Sequence, residues 1–531
     1  MPKEYSKNVI PQLFGHIPGE KPPLVHFIGI GGIGMSSLAQ WFIAQNWAIS
    51  GSDLSYTGLS QEMQRMGIRV KIGHKKSNIP HGTRLVLYSL AVKLQNPELK
   101  EAKRLRIPTF SYPEMIGRLT RIYNTIAIGG AHGKSTSTAL IGLMLLNADL
   151  DPTVIIGTKL KEFDGKNFRR GGGRYLVLEA DEYGGAFWHY SPTFIVITNI
   201  DREHMDFYKN LDGVKKSFLK FLANAKIGGT FILNKDDRNL FSLKSAIAKI
   251  AKSRNIKAIW YSIRQPEAGK IKKIISIPGE HNVSNALAAL TLGTILKIPV
   301  SQILRSIHKY EGAWRRMEYK GKLEIACPLR VAKQGGRGNC LPADLSAKAL
   351  ASAEASVPLR SKTAEDGAQA GKLEIYDDYA HHPTEIKATL KAFKEKYPRS
   401  PLICVFQPHQ AERLKVLFND FKTAFNYADI TLILPTYHVA GRDKIYPKFD
   451  SKSLVKAIQR KQPKKLLFYL EKPENLKKAI QELIFNSQHP HKLARLATAS
   501  AKRADSHYVL VMMGAGDVPK YTEELFKNRS N

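Results

Sequence analysis

The feature that most constrains this chain is an apolar run, residues 125–128, that leads into Gly129-Gly130-Ala131-His132-Gly133-Lys134-Ser135-Thr136. A buried strand, a glycine turn and a helix start leave few folds open, and they form a ready phosphate cradle. Backbone amides of Gly130, His132 and Gly133 face the phosphates, Lys134 adds an ammonium, and Ser135 and Thr136 add hydroxyls, one of them for Mg²⁺. Ile128 stands where the first glycine of the longer motif belongs, so the loop is a shortened variant. The expected ligand is ATP with Mg²⁺.

A second glycine turn lies upstream. Gly29, Gly31 and Gly34 fit G-x-G-x-x-G after another apolar run, with Gly32 inside the turn and Asp53 about 20 residues on, where a ribose-binding acid sits. Alone, this pattern fits a nicotinamide dinucleotide or a bare turn. Further strand-like runs at 84–87, 175–178, 194–198, 402–406, 430–434, 465–470 and 508–513 are mostly spaced for intervening helices. The expectation is an α/β chain with parallel sheets throughout. A new strand and glycine loop follow 108–120, and a helix-rich block ends at Gly312, which places boundaries near 119 and 312 and units at 1–119, 120–312 and 313–531.

With 531 residues, 43% hydrophobic and 24% charged, the chain has the composition of a folded multidomain protein. Lys and Arg number 81 against 46 Asp and Glu, a formal charge of +35. These residues are scattered, as in the solvated lysine-rich stretch 387–396, and no nucleic-acid module accompanies them, so small anionic ligands are expected and nucleic acid is not. Cys327, Cys340 and Cys404 form neither a disulfide framework nor a zinc spacing. No signal peptide or membrane span is read, and the expectation is a cytoplasmic monomer or weak homodimer without a membrane partner.

Gly321-Lys322-Leu323-Glu324-Ile325 recurs as Gly371-Lys372-Leu373-Glu374-Ile375. The 45 residues between them, 326–370, lack periodicity and are rich in Ala, Ser and Gly. They read as a disordered surface insertion into a once-continuous strand pair that still pairs beneath it. The bland alternative is a long loop with a chance repeat.

Carboxylates end the next strand in Glu179-Ala180-Asp181-Glu182, where an ATPase holds Mg²⁺ or its waters, and residues 194–198 deliver His204, a candidate metal ligand. At this point the chain resembles a known family. The P-loop, Glu179-Ala-Asp-Glu, Thr198-Asn-Ile-Asp-Arg-Glu-His-Met-Asp, Gly279-Glu-His-Asn-Val-Ser-Asn285, Trp314-Arg-Arg-Met-Glu and Asp377-Asp-Tyr-Ala-His-His-Pro-Thr-Glu385 stand in the order seen in the Mur ligases of peptidoglycan synthesis.

The resemblance implies three domains: a Rossmann-like N-terminal domain for a UDP-sugar, a P-loop ATPase centre and a Rossmann-like C-terminal domain that closes over both with an amino acid. The first glycine turn, Gly29, Gly31, Gly32 and Gly34 with Asp53, would then hold UDP-N-acetylmuramate, and the nicotinamide reading falls. Lys134, His204 and Arg316 would be catalytic, with Ser135, Glu179 and His204 serving metal. Asn282, Asn285, Arg316 and Asp378 would meet ATP, and His381 or His382, His409 and Arg413 would face the amino acid. Gly29-Ile-Gly-Gly-Ile-Gly-Met-Ser36 and Phe406-Gln-Pro-His409 are most similar to the member that joins L-alanine to the sugar carboxylate through an acyl phosphate. The rivals are the murein tripeptide ligase and an inactive nucleotide-binding scaffold. Two departures stand out: Ala131 replaces a threonine of the family loop, and Gln410 replaces an arginine.

Overall fold

The computed structural model describes residues 21–325, 371–438, 446–485 and 507–527. Three sheets follow one another along the chain. The first is fully parallel, in the order Arg69–Ile72, Ala48–Asp53, Leu24–Ile28, Thr83–Tyr88, Thr109–Ser111. Strand order reverses at Leu24–Ile28, so the glycine turn opens where parallel sheets form a ligand crevice. Helix Ile33–Ala44 buries Leu38, Trp41 and Phe42. It also ties this domain to the next, since Gln40 donates to Asn167 Oδ1 at 2.9 Å and Asn167 donates to the Ile33 carbonyl at 2.7 Å.

The central sheet runs Lys257–Tyr261, Thr230–Asn234, Phe194–Ile197, Asn124–Gly129, Tyr175–Ala180, Thr153–Leu160, Lys166–Arg169, parallel except for the last pair. Asn124–Gly129 lies between Phe194–Ile197 and Tyr175–Ala180 and is parallel to both, so the P-loop, the acidic tip and the segment reaching His204 all leave the C-terminal ends of neighbouring strands. The following helix, Lys134–Asn147, is apolar on nearly all sides and buried from Ser135 to Leu145, packing in one core with helix Glu280–Ile295.

The third sheet runs Glu318–Ile325, Gly371–Asp378, His507–Met513, Leu402–Phe406, Ile430–Ile433, Leu466–Tyr469; only its first pair is antiparallel. Apolar clusters cover both faces. Cys404 is fully buried there. The sheets change over between Ser111 and Asn124, where helix Tyr112–Ile122 carries the chain, and between Tyr261 and Glu318.

The repeated pentapeptides face each other. Gly321 pairs with Ile375, Leu323 with Leu373 and Ile325 with Gly371, while Lys322 Nζ lies 3.3 Å from Glu374 Oε1. The sequence Gly-Lys-Leu-Glu-Ile is complementary to itself when antiparallel, lysine opposite glutamate. The flanking strands therefore do pair. They are nevertheless two separate strands, and the inner copy also pairs with His507–Met513. Residues 326–370, and with them the expectation of a disordered surface insertion, lie outside the described residues. Among the described residues no helix is long and apolar enough to cross a membrane.

Candidate functional site

Local chemistry explains the shape of the P-loop. A Cβ on Gly130 would fall 2.0 Å from Thr198 Oγ1, and one on Gly133 would fall 2.5 Å from Asn285 Oδ1; both glycines also have positive φ. The loop is laced to the neighbouring strand end, since His132 N–H donates to Asn199 Oδ1 at 2.9 Å and Thr198 Oγ1 donates to the His132 carbonyl at 2.6 Å. Lys134 Nζ donates to the Gly130 carbonyl at 2.6 Å and to Glu182 Oε2 at 3.0 Å. Burial works against this ammonium, but Glu182 and Asp181 outweigh it and hold the lysine pKa above its ordinary value.

Glu182 is 1% exposed. Burial pushes its carboxyl up, yet Lys134 and His204 more than offset this and hold it below the usual range. Tyr208 donates to its carbonyl. Its second oxygen, Oε1, makes no hydrogen bond and lies 3.5 Å from His204 Nε2. With Asp181, three ligand atoms gather within 4.8 Å of one another. An orphaned buried carboxylate oxygen beside a second carboxylate and an imidazole fits a hard divalent cation. Glu179 stands apart from this trio. It accepts the Gly157 N–H at 2.7 Å, and burial raises its pKa despite Gly157 and Arg316. The expected metal residues thus fall in two places, Glu179 and Ser135 in one and His204 in the other. Sequence reasoning missed Asp181 and Glu182 as His204's companions, although both stood in the acidic tip.

A cavity of about 380 Å³ opens between the central and C-terminal domains, lined by Asn282, Asn285, Arg316 and Asp378 among others. Arg316 Nη2 reaches Ser135 Oγ at 3.4 Å, and its guanidinium lies 4.9 Å from the Tyr379 ring centre. Asp378 accepts the Met317 N–H at 2.8 Å and the Ala380 N–H at 2.9 Å; burial pushes it up to about 6 against the pull of Arg316. His132 clasps the domains, with Nε2 3.1 Å from Asp201 Oδ2 and Nδ1 3.1 Å from Glu385 Oε1. Burial opposes its charge, but Glu385 and Asp201 raise its pKa to about 10.

A second cavity of about 310 Å³ is lined by Glu203, His204, Gln410 and Arg413 among others. Arg413 Nη2 donates to Glu203 Oε2 at 3.2 Å, and the two side chains are 10% and 6% exposed. The adjacent histidines divide here. His381 Nε2 is 3.9 Å from Glu203 Oε1, and its ring lies 6.3 Å from that of His409; burial, then Arg413, lowers its pKa to about 4. His382 turns away, accepting the Thr384 N–H as cap of helix Pro383–Lys396, with its ring 4.9 Å from His132. His409 stacks on Tyr437. Glu203 went unnoticed in the sequence, where only its neighbour His204 stood out.

In the N-terminal domain, Gly31 N–H donates to Asp53 Oδ2 at 2.8 Å and Leu54 N–H to Oδ1 at 2.8 Å, so Asp53 buttresses the turn. A Cβ on Gly31 would fall 2.6 Å from Thr57 Oγ1 and one on Gly34 2.8 Å from the Tyr112 ring, whereas one on Gly32 would have nothing nearer than 3.7 Å, and Gly32 is exposed. Helix Ile33–Ala44 has no side-chain cap, which leaves its first amides for an anion.

Family profiles match all three units: "Mur ligase family, catalytic domain" over residues 24–124, "Mur ligase middle domain" over 128–293 and "Mur ligase, glutamate ligase domain" over 366–516. The chain belongs to the Mur ligase family. Among curated relatives, a UDP-N-acetylmuramate–L-alanine ligase of Persephonella marina is 34% identical over 94% of this chain and 96% of its own length. The enzyme of the same name from Aquifex aeolicus is 32% identical over 94% and 97%. In fold, the chain is similar to the UDP-N-acetylmuramate–alanine ligase of Thermotoga maritima (TM-score 0.66, 21% identity, 94% of this chain and 97% of that one). A murein peptide ligase of Psychrobacter arcticus follows (0.60, 19%, 95% and 98%).

Proposed function

We propose that the chain is an ATP-dependent ligase that joins L-alanine to the carboxylate of UDP-N-acetylmuramate. The observation that carries this is the meeting of Lys134 and Arg316 at the P-loop, whose His132 and Gly133 line the 380 Å³ cavity together with Arg316. The sugar nucleotide lies on Gly32 and the amides of helix Ile33–Ala44, with Gly29, Gly31, Gly34 and Asp53 shaping the turn. ATP fills the larger cavity, with its phosphates on Gly130, His132, Gly133, Ser135 and Thr136 and its nucleoside near Asn282, Asn285 and Asp378. Ser135 would hold Mg²⁺ with the phosphates, and Glu179 and the Asp181–Glu182–His204 trio suit further metal. Bound Mg²⁺ supplies positive charge where two anions must meet.

The sugar carboxylate attacks the γ-phosphorus and ADP leaves, giving an acyl phosphate. The alanine ammonium gives up a proton, the amine so formed adds to the carbonyl carbon, and the tetrahedral intermediate loses a second proton and expels phosphate, leaving the amide. Carboxylate and triphosphate repel each other, so neutralisation is the main task; Lys134 and Arg316 carry it from fixed positions. His381, His409 and Arg413 border the place of the amino acid.

The test offers L-alanine and the murein tripeptide as competing acceptors with ATP and UDP-N-acetylmuramate. The reading requires phosphate release that depends on the sugar nucleotide and a product carrying alanine. A tripeptide product would assign the chain to the other branch, and nucleotide binding without turnover would make it a scaffold.

A further inference from the structure

Arg413 has been placed beside the amino acid, but Glu203, the carboxylate paired with it, has no part in the chemistry derived so far. The pair lies in the wall of the 310 Å³ cavity, against His204, and is almost wholly removed from water. A buried ion pair stabilises little by itself, because desolvation offsets most of the attraction, whereas breaking it by removing one partner is costly. A ligand bearing only a carboxylate could take Arg413 only by leaving Glu203 without its cation. A zwitterion can satisfy both.

We infer, on the reading of the chain as an L-alanine ligase, that the amino acid binds by dividing this pair. Its carboxylate takes Arg413 and its ammonium takes Glu203. Two charges are inserted between two charges, so the net charge of this part of the cavity wall is the same before and after binding. Glu203 is thereby a positioning residue that holds the nitrogen on the side of the cavity next to His204 and the Asp181–Glu182 carboxylates. Gln410, on the same wall, supplies no second guanidinium, so the carboxylate relies on Arg413 and discrimination falls to the ammonium contact. Specificity for an amino acid over a hydroxy acid of the same size would arise here, since a charged pairing site rejects an analogue that leaves one of its groups unpaired.

The experiment compares L-alanine with L-lactate, which keeps the carboxylate and replaces the ammonium by hydroxyl. KM for L-alanine and the inhibition constant of L-lactate are measured for the full chain and for Glu203→Gln, with ATP and UDP-N-acetylmuramate saturating. In the parent, L-alanine is favoured by at least about 100-fold. In Glu203→Gln, KM for L-alanine rises about 10- to 100-fold, and L-lactate binds as well as before or better, because Arg413 is released from its internal partner. Equal weakening of both ligands, or no change in either, overturns the inference. If the glutamine variant does not fold, Glu203→Asp carries the same comparison with a smaller shift in the same direction. A parent protein that does not use L-alanine at all would instead overturn the proposed function, so the two failures are distinguishable.

Discussion

Truncating Lys134 to alanine has two consequences, and the structure separates them. The Lys134 side chain is 17% exposed and that of its partner Glu182 1% exposed, so Lys134→Ala leaves a carboxylate buried without its nearest cation. Breaking such a pair from one side costs about 3–5 kcal/mol of stability. The same change removes a charge that meets the transferred phosphoryl group, and a loss of about 10³ in turnover corresponds to about 4 kcal/mol in the transition state. Glu182→Gln added to Lys134→Ala relieves the first cost and leaves the second. Thermal melting should therefore fall in the single variant and recover most of the way in the double, while ligation stays absent in both. UDP-N-acetylmuramate should still bind both, because its crevice belongs to a different sheet. Near-normal turnover by Lys134→Ala, or restoration of turnover by the second substitution, would refute the assignment of Lys134 to the phosphates.

Gln410→Arg should lower KM for L-alanine with little change in kcat, because a guanidinium on that wall adds binding shared by ground and transition states; an unchanged or raised KM in steady-state assays removes Gln410 from the amino-acid site. His132 has its pKa raised from 6.5 to about 10, so the stability it contributes is complete below pH 6.5 and is lost as pH rises toward 10. Melting curves across that window should fall in the parent and be flatter in His132→Gln, and parallel curves would contradict the clasp. Replacing 326–370 by a short turn, with both pentapeptides kept, should preserve ligation and melting temperature; deletion that also removes 371–375 should destabilise the domain, because it takes the strand beside His507–Met513.

The elements legible in the sequence were those whose pattern is local. Strands such as Leu402–Phe406 are continuous apolar runs, and the P-loop announces its own turn. Ala48–Asp53 escaped because Ser50 and Ser52 are buried polar residues inside a strand. They sit near a fully buried Glu98, which accepts from Ser52 at 2.8 Å, His26 at 2.7 Å and His74 at 2.9 Å across long sequence separations. No spacing rule encodes such a network. The two histidines at 381 and 382 were inseparable in sequence, and only the start of helix Pro383–Lys396 turns them to different partners. Glu203 likewise acquires meaning only once the C-terminal domain brings Arg413 to it.

The central claim is that ATP activates the sugar carboxylate so that alanine can displace phosphate, and its most direct test follows the oxygen atoms. UDP-N-acetylmuramate labelled with ¹⁸O in its carboxylate is turned over with ATP and L-alanine, and the released phosphate is analysed by mass spectrometry. The account predicts one ¹⁸O in each phosphate formed, in step with UDP-N-acetylmuramoyl-L-alanine. Unlabelled phosphate accompanying that product, or phosphate formed without it, would contradict the account.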